Sequence, residues 1–321
     1  MLRRFLGGLA WPGLLGVTLA TAMAQLGGLG WLPELATHFR GQYLAVGVLL
    51  LVLFGGLRRP WPAVLAALPV ALNGWYLAPY VLPYLPSAAP AVAAGQDDGP
   101  ELIALNLYIH NHDYGRVRSY LEARNAEVLV LSELTPTWVR ELQPVLSRYP
   151  FWASEGRRSP WGLGVFSRHP LREARVLNLG VTGSVNVHAI LESPAGDVEL
   201  MAVHLVSPGS PAHAAQRNRQ LARLAELLGG PRPAGGMPRL LVGDMNLTPF
   251  SPHFRVLLAQ TGLHDMRRPA GFLGTWPTWL PPLQIPIDHC LADPVLGAMR
   301  VRRGPAVGSD HYPLEIGWQA G

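Results

Sequence analysis

The sequence predicts a four-layer α/β sandwich that is preceded by three transmembrane helices. Two observations lead to this fold class. Three long stretches without a charged side chain follow one another in the first third of the chain. Further on, short apolar runs first alternate with helix-like segments and then follow one another directly, which is typical of a sheet sandwich with outer helices. We therefore divide the chain into a membrane anchor (1–85), a linker (86–100) and one large domain (101–318).

The anchor is predicted from the length of its uncharged stretches. Charged side chains are absent from 5–33, from 41–57 and from 60–96. A helix that crosses a bilayer needs about 17–25 predominantly apolar residues. Helices are therefore expected at about 5–32, 43–57 and 61–85.

Two alternatives to three membrane spans remain open. One is a cleavable signal peptide, because Arg3-Arg4 precedes an apolar run and Ala22-Met23-Ala24 is a plausible cleavage site. The apolar run continues past that site to Leu32, which favours an uncleaved helix. The other is a buried helical hairpin of a soluble protein, although three uncharged stretches in succession favour membrane spans.

The arginines of the anchor predict its orientation. Arg3-Arg4 precedes the first helix, and Arg58-Arg59 separates the second helix from the third. The positive-inside rule places both pairs in the cytoplasm. Three crossings then deliver the large domain to the outer face, so that we expect a multi-pass cell-membrane protein with an extracytoplasmic domain.

The distribution of charge argues against a strongly basic nucleic-acid-binding domain. The formal net charge is +5, and all 26 basic residues are Arg. Residues 1–96 hold five Arg and one acid, whereas residues 97–321 hold 21 Arg and 20 acids. The basic excess therefore belongs to the anchor, and the large domain is nearly neutral. The single cysteine, Cys290, excludes an intrachain disulfide framework and a Cys-rich zinc site.

Hydrophobic patterning gives the elements of the large domain. The strands are expected at Leu102–Tyr108, Glu127–Ser132, Gly162–Ser167, Ser184–Glu192, Asp197–Val206, Arg239–Gly243, Asp288–Ala292 and Tyr312–Ile316. The helices are expected at about 114–125, 136–147, 211–229 and 251–262.

Polar side chains lie at the ends of several apolar runs in this domain. They are Asn106, Glu133, His204, Asp244, Asn246, Asp288, Asp310 and His311. Each alone has an ordinary structural explanation, such as a turn for Asp244 or a helix cap for Glu133. Together they offer carboxylate and amide oxygens that suit Mg²⁺ or Mn²⁺, with imidazoles for proton transfer. This combination indicates metal-assisted hydrolysis of a phosphate ester or anhydride.

The order of these motifs resembles the endonuclease/exonuclease/phosphatase superfamily, the fold of DNase I, exonuclease III, inositol-polyphosphate 5-phosphatases and neutral sphingomyelinases. The resemblance covers residues 101–317. Its most specific motifs are Gly243-Asp-Met-Asn246, Ser309-Asp-His-Tyr-Pro313 and Ile287-Asp288. Two positions depart from the usual pattern, since Ser132 stands where many relatives have Gln and Leu105 where nucleases often have an aromatic residue.

The resemblance implies a role for each metal-site residue. Glu133 is expected to be a principal Mg²⁺ ligand, with Asn106 and Asp310 near the metal. His311 is expected to act as general base or to contact the phosphate, oriented by Asp310. Whether one or two metals operate stays open.

The resemblance also implies how water and phosphate are handled. Asp244 is expected to position or deprotonate the attacking water, and Asn246 to contact the phosphate. His204 is expected to donate to a phosphoryl oxygen or to the leaving group, oriented by Asp288.

Weaker candidates for substrate contacts are basic or aromatic. Arg217 belongs to an Arg-x-x-Gln helix that recurs beside the site in the superfamily. Trp276 lies in an aromatic loop, 275–280, that suits a substrate, a bilayer or simple packing. Further candidate anion contacts are Arg116, Arg118, Arg157 and Arg158.

Three functions follow from these observations. The first is a membrane-tethered phosphohydrolase that acts on a lipid-linked phosphate, because tethering raises the effective concentration at the bilayer. A three-helix anchor before such a domain also resembles the VanJ-type membrane proteins, a group linked to glycopeptide resistance and associated with dephosphorylation of undecaprenyl pyrophosphate. The second is an extracytoplasmic nuclease, and the third an inactive membrane scaffold. The expected partners are the bilayer and a lipid phosphate, with nucleic acid as the alternative; no protein partner is evident.

Overall fold

The computed structural model describes residues 2–82, 101–193, 196–232, 235–297 and 299–318. The helices are α1 (Leu2–Gln25), α2 (Trp31–Thr37), α3 (Arg40–Gly56), α4 (Pro60–Val81), α5 (Tyr114–Arg124), α6 (Pro136–Glu141), α7 (Gln143–Leu146), α8 (Pro211–Leu228) and α9 (Pro252–Thr261). The strands are β1 (Leu102–Asn106), β2 (Val128–Ser132), β3 (Phe151–Glu155), β4 (Leu163–Ser167), β5 (Leu171–Leu177), β6 (Asn186–Ser193), β7 (Gly196–His204), β8 (Arg239–Asp244), β9 (His264–Asp265), β10 (Asp288–Ala292), β11 (Met299–Arg303) and β12 (Leu314–Trp318).

The strands form two six-stranded sheets that pack face to face. Their orders are β11-β12-β1-β2-β4-β3 and β5-β6-β7-β8-β10-β9. The pairs β1–β2 and β7–β8 are parallel, and their neighbours in the middle of each sheet are antiparallel. The predicted α/β sandwich is confirmed.

Strands that are apolar on both faces produce the four layers. In β1, Leu102 and Ala104 face the core between the two sheets. Ile103 and Leu105 face the opposite way and pack under α5, α6 and α7, where Trp138 fills the outer core. Because side chains alternate along a strand, such a run can bury both faces only if a sheet covers one and helices cover the other. A third core lies between the second sheet and α8 with α9.

The sequence reveals the central strands and misses edge strands. All eight predicted strands are present within a few residues of their expected bounds. The strands β3, β5, β9 and β11 were not expected; β5 carries exposed charged side chains and lacks an apolar face. The helix expected over 136–147 is divided into α6 and α7 around Leu142. Pro144 follows the break, and proline supplies no backbone N–H to continue a helix.

The first four helices form an apolar bundle. Several large apolar side chains of the bundle are mostly exposed, among them Leu19 of α1, Leu49 and Val52 of α3, and Trp61 and Trp75 of α4. Among the described residues, α4 is long and apolar enough by itself to cross a membrane, and α2 with α3 meets the same criteria as a pair bent by 63°. Three membrane spans therefore stay a prediction. The predicted linker, 86–100, lies outside the described residues.

The bundle packs directly on the sandwich domain. Trp31 Nε1 donates to the Pro208 carbonyl at 2.6 Å, and Tyr80 donates from its hydroxyl to Asp265 Oδ2 at 2.9 Å. The segment expected to be a loop between the first two spans contains α2, whose Glu34 is buried against the domain. The anchor and the domain thus share a packed interface.

Candidate functional site

Strand register brings three of the predicted site residues side by side. In the parallel pair β7–β8, His204 lies opposite Asp244. In the antiparallel pair β8–β10, Asp244 lies opposite Asp288. The three side chains therefore stand in one row across the second sheet, and each is buried. A row fixed by backbone hydrogen bonds holds its side chains in place with little freedom.

Backbone conformation shapes the Gly243-Asp-Met-Asn246 motif. Gly243 has φ +130°, and a Cβ at this position would lie 2.1 Å from the Val203 carbonyl oxygen, so only glycine fits. Asn246 has φ +51°; its backbone N–H donates to Asp244 Oδ1 at 2.9 Å, and its side-chain amide donates to the Leu205 carbonyl. Left-handed backbone at a non-glycine residue is uncommon and clusters at functional sites.

Asp288 and His311 form a buried hydrogen-bonded pair. His311 Nδ1 donates to Asp288 Oδ2 at 2.9 Å. Burial by itself would lower the pKa of His311, but the carboxylates of Asp288 and Asp244 outweigh burial and raise that pKa to about 10. This pairing corrects two expectations: Asp288 orients His311 and not His204, and Asp310 does not orient His311 by a hydrogen bond.

Asp244 lies between two imidazoles. The Nε2 atoms of His204 and His311 are each 3.6 Å from Asp244 Oδ2. Burial raises the pKa of Asp244 to about 7, against the opposing pull of His311. Burial likewise lowers the pKa of His204, which keeps this imidazole neutral near neutral pH.

Glu133 and Asn106 come from the first sheet. In the parallel pair β1–β2, Asn106 lies opposite Ser132, so that Glu133 follows directly beside it. Asn106 Nδ2 donates to Glu133 Oε1 at 3.2 Å and to Asp244 Oδ2 at 3.1 Å, while its Oδ1 accepts from the Tyr108 amide. Asn106 therefore bridges two carboxylates with its N–H groups, and its assignment as a metal ligand stays a prediction. Glu133 has φ +54°, a second left-handed residue at the site.

Asp310 is held by the aromatic loop. Trp276 Nε1 donates to Asp310 Oδ2 at 3.0 Å. The other oxygen, Oδ1, is buried and has no hydrogen-bond partner among the described residues. A buried carboxylate oxygen without a donor is costly unless a cation or a proton is supplied to it.

The donor set fits a divalent metal ion. Asp244, Asp288 and His311 offer ligand atoms that all lie within 4.8 Å of one another. Asp288 and His311 already bind each other. Each oxygen of Glu133 accepts one hydrogen bond, Oε1 from Asn106 Nδ2 and Oε2 from the Ile109 backbone N–H at 2.7 Å, and keeps a further lone pair for a cation, while Asp310 Oδ1 has no hydrogen-bond partner among the described residues. Carboxylate oxygens without thiolates are the ligands that hard divalent cations prefer.

All of these residues except Asp288 line a cavity of about 620 Å³. Its polar lining consists chiefly of Asn106, Glu133, His204, Asp244, Asn246, Asp310 and His311. Its other wall comes from the helical bundle: Trp31, Leu35, His38 and Phe39 line the same cavity. Trp161 and Trp276 complete it. The cavity therefore joins the predicted site residues to the first third of the chain.

Sequence reasoning did not find the wall that the anchor contributes. Its signal was present in Glu34 and His38, two polar residues inside an otherwise apolar region, where such residues are commonly functional.

The cationic candidates lie outside the cavity wall. Arg217 is fully buried, with its guanidinium bound by Glu34 and by the Asn246 carbonyl. In this position Arg217 supports the Asn246 backbone, and its predicted contact with substrate would require it to leave Glu34. Of the described residues that line the cavity, none belongs to the other predicted anion contacts, Arg116, Arg118, Arg157 and Arg158.

The sandwich and its acidic, imidazole-rich site define the class of protein as a metal-dependent hydrolase of phosphoester bonds. The chain belongs to the endonuclease/exonuclease/phosphatase family, whose sequence model matches residues 103–311. No curated protein matches the chain in sequence.

Solved structures share the fold. A humanized TDP2 from D. rerio superposes with a TM-score of 0.57 at 17% identity, covering 68% of this chain and 98% of that one. An endonuclease/exonuclease/phosphatase from Beutenbergia cavernae superposes with a TM-score of 0.52 at 20% identity, covering 68% of this chain and 71% of that one. Beta toxin from Staphylococcus aureus superposes with a TM-score of 0.51 at 17% identity, covering 68% of this chain and 99% of that one. At these identities the similarity concerns the fold alone.

Proposed function

We propose that this protein is a membrane-anchored, Mg²⁺-dependent phosphohydrolase that cleaves a lipid-linked phosphate or pyrophosphate, such as undecaprenyl pyrophosphate, on the outer face of the cell membrane. The observation that carries the proposal is the shared cavity, in which catalytic side chains face apolar side chains from the anchor. A lipid phosphate has the matching chemistry, since it joins an anionic head to a hydrocarbon chain.

Membrane anchoring is supported by the apolar side chains that cover the outside of the helical bundle. The ends of the helices support the orientation. Trp31, which follows α1, Gln42 near the start of α3 and Tyr80 near the end of α4 all bond to the sandwich domain. The opposite end of the bundle carries the Arg58-Arg59 pair, which favours the cytoplasmic side.

The residues of the site would take separate roles in hydrolysis: metal binding, removal of a proton from water, and contact with the phosphate. Glu133 and Asp310 would hold Mg²⁺, which when bound supplies charge stabilisation to a phosphoryl group. Asp244, with a pKa raised to about 7, suits the removal of a proton from the attacking water near neutral pH. His311 stays protonated beside Asp288 and can contact a phosphate oxygen with its Nε2–H. His204 is neutral and can donate to the phosphoryl or leaving-group oxygen.

The second candidate function is an extracytoplasmic, Mg²⁺-dependent nuclease. It is favoured by the fold shared with D. rerio TDP2, a structure of which contains a single-stranded DNA product. The nearly neutral charge of residues 97–321 opposes it, because binding to nucleic acid gains most of its strength from basic residues that neutralise phosphates.

One assay separates the two functions. The full chain, purified in detergent with Mg²⁺, is expected to release inorganic phosphate from a polyprenyl pyrophosphate and to leave plasmid DNA intact. Degradation of DNA without phosphate release from the lipid would overturn the proposal. His311→Ala is expected to lower turnover by about 10²-fold or more, as the loss of an acid–base or phosphate-contacting group implies. Near-normal turnover would mean that the site is misassigned.

The orientation has an independent test. A reporter enzyme that works only outside the cytoplasm is fused after residue 321 and is expected to be active. If a reporter that works only in the cytoplasm is active at the same position instead, the proposed topology is wrong, whatever the substrate is.

A further inference from the structure

The segment 31–39, which we call the α2 wall, stands beside the catalytic residues. It consists of α2 and the turn before α3, and four of its side chains, Trp31, Leu35, His38 and Phe39, line the cavity. The sandwich domain alone does not complete this cavity. The family model begins at residue 103, so that the wall lies outside the part of the chain that the family shares.

His38 is oriented by the sandwich domain. Its Nδ1 lies 3.0 Å from Thr248 Oγ1 and accepts from the Thr248 backbone N–H at 3.4 Å. Because a backbone N–H only donates, Nδ1 carries no proton, and in the neutral ring the proton is on Nε2. Nε2 is buried and has no partner among the described residues. Since His38 lines the cavity and a buried N–H donor without a partner is costly, an acceptor atom of a ligand would satisfy it.

A buried ion pair between Glu34 and Arg217 holds the α2 wall against the sandwich domain. Both oxygens of Glu34 accept from Arg217 NH2, at 2.6 and 2.5 Å, and Ser251 Oγ donates to Glu34 Oε1 at 2.8 Å. Arg217 also donates to the Asn246 carbonyl at 3.0 Å. The ion pair is almost fully buried. It therefore ties the wall to the motif that carries Asp244, and a subsite built on the wall has a fixed position relative to the catalytic residues.

The remaining surface of the wall is apolar. Leu35 and Phe39 line the cavity beside Trp31, and Ile285 and Ile287 line it from the sandwich domain. Burying hydrocarbon against such a surface lowers the free energy, because both apolar surfaces leave water. The cavity thus joins the polar side chains of the predicted site to a wall that is apolar apart from His38.

We propose that the α2 wall is a substrate subsite, in which His38 Nε2 donates a hydrogen bond to a phosphate oxygen while Leu35 and Phe39 contact the hydrocarbon next to that phosphate. The hydrocarbon contact rests on the proposed lipid-phosphate function. The His38 contact does not, because any phosphate ester that reacts in this cavity presents the same acceptor oxygens.

The first experiment tests His38. The full chain in detergent with Mg²⁺ hydrolyses p-nitrophenyl phosphate and a polyprenyl pyrophosphate in parallel assays. His38→Ala is expected to lower kcat/KM by about 10-fold or more on both substrates, since it removes a hydrogen bond to a charged group. The matched control is His264→Ala, an exposed histidine of β9, which is expected to keep the wild-type value. Wild-type kcat/KM for His38→Ala on both substrates would overturn the His38 contact.

The second experiment tests the apolar contact. Its readout is kcat/KM for the polyprenyl pyrophosphate divided by kcat/KM for p-nitrophenyl phosphate. Leu35→Ala is expected to lower this ratio about 10-fold, because lost hydrocarbon contact affects the lipid alone. The control is Leu49→Ala, the same truncation on the exposed face of α3. If Leu35→Ala lowers the melting temperature, Phe39→Leu, a smaller truncation, takes its place.

The outcomes separate this inference from the proposed function. An unchanged ratio in Leu35→Ala and Phe39→Leu, with a wild-type enzyme that is active on the lipid, overturns the hydrocarbon contact and leaves the function intact. A wild-type enzyme that cleaves p-nitrophenyl phosphate but not the lipid overturns the proposed function and the hydrocarbon contact together. In that case His38→Ala still decides the phosphate contact.

Discussion

His311 donates from Nδ1 to Asp288 Oδ2 across 2.9 Å, and this bond joins the loop before β12 to the first residue of β10. The bond spans the two sheets of the sandwich. It fixes the ring of His311 so that Nε2 faces Asp244, and it supports the positive charge of the imidazolium. A mutation at Asp288 therefore acts through His311.

Asp288→Asn is expected to lower kcat by about 10–100-fold, the usual cost of losing a carboxylate that orients a functional histidine. The same change should lower the pKa of His311, because Asp288 is the largest contribution that raises it. NMR titration of the imidazole measures this shift, with the exposed His264 as internal control. An unchanged His311 pKa together with full activity would show that the pair is not part of the machinery.

Glu133→Gln is expected to weaken binding of the divalent metal by about 10-fold or more, because the amide replaces a charged oxygen donor. Isothermal titration calorimetry with Mn²⁺ and Mg²⁺ measures the effect. Glu141→Gln is a matched control, since Glu141 lies on α6 and pairs with Arg140 at the surface. Equal metal affinity in the Glu133 variant and the wild type would remove Glu133 from the metal site.

Glu34→Leu and Arg217→Met each break the buried ion pair and leave the other charge without a partner. Each single variant is expected to lose about 3–5 kcal/mol of unfolding free energy, whereas the double variant should lose much less. Chemical unfolding in detergent gives the double-mutant cycle. Additive losses would mean that the two side chains do not depend on each other, contrary to their 2.5 and 2.6 Å contacts.

Arg239→Lys is expected to destabilise the domain although it preserves the charge. The Arg239 guanidinium donates to both oxygens of Asp293 and to the carbonyls of Leu228 and Thr261, a planar pattern that an ammonium group cannot reproduce. Because this change disturbs a fully buried network, we expect a loss of about 3 kcal/mol or more. Thermal unfolding measures it, with the exposed Arg223→Lys as control.

The pH dependence of stability provides a test of the same network. Burial by itself would raise the pKa of Asp293, but hydrogen bonds from Arg239 outweigh burial and lower it. A lowered folded-state pKa stabilises the protein above the unfolded value of about 3.9 and ceases to do so as pH falls through the folded-state pKa. Wild-type stability should therefore decline below about pH 4, and Asp293→Asn should decline less. If unfolding free energy falls equally with pH in the wild type and in Asp293→Asn, Asp293 does not contribute to the pH dependence of stability.

The central strands and the site residues were readable from the sequence because each leaves a local signal. An apolar run that ends in Asp, Glu or His predicts a buried strand whose last side chain faces a cavity, as in β7 and β8. Edge strands such as β5 leave no such signal, because their side chains face solvent and their pairing is decided by the neighbouring strand.

The partners of the site residues could not be read in the same way. Which carboxylate orients which histidine depends on the register of β8 against β10 and on the loop that carries His311, and these are contacts between residues distant in the chain. The family resemblance implied that Asp310 orients His311, whereas in the structure Asp310 accepts a hydrogen bond from Trp276.

The sequence by itself determined the composition of the site and the division between an apolar first third and a nearly neutral domain, because motif residues and charge are properties of single positions. Only the tertiary structure decided that the two parts share one cavity. Glu34 and Arg217 are 183 positions apart, and no local pattern predicts that they meet. Burying both charges is tolerable only because each neutralises the other, and that requirement holds the α2 wall against the residues of the predicted site.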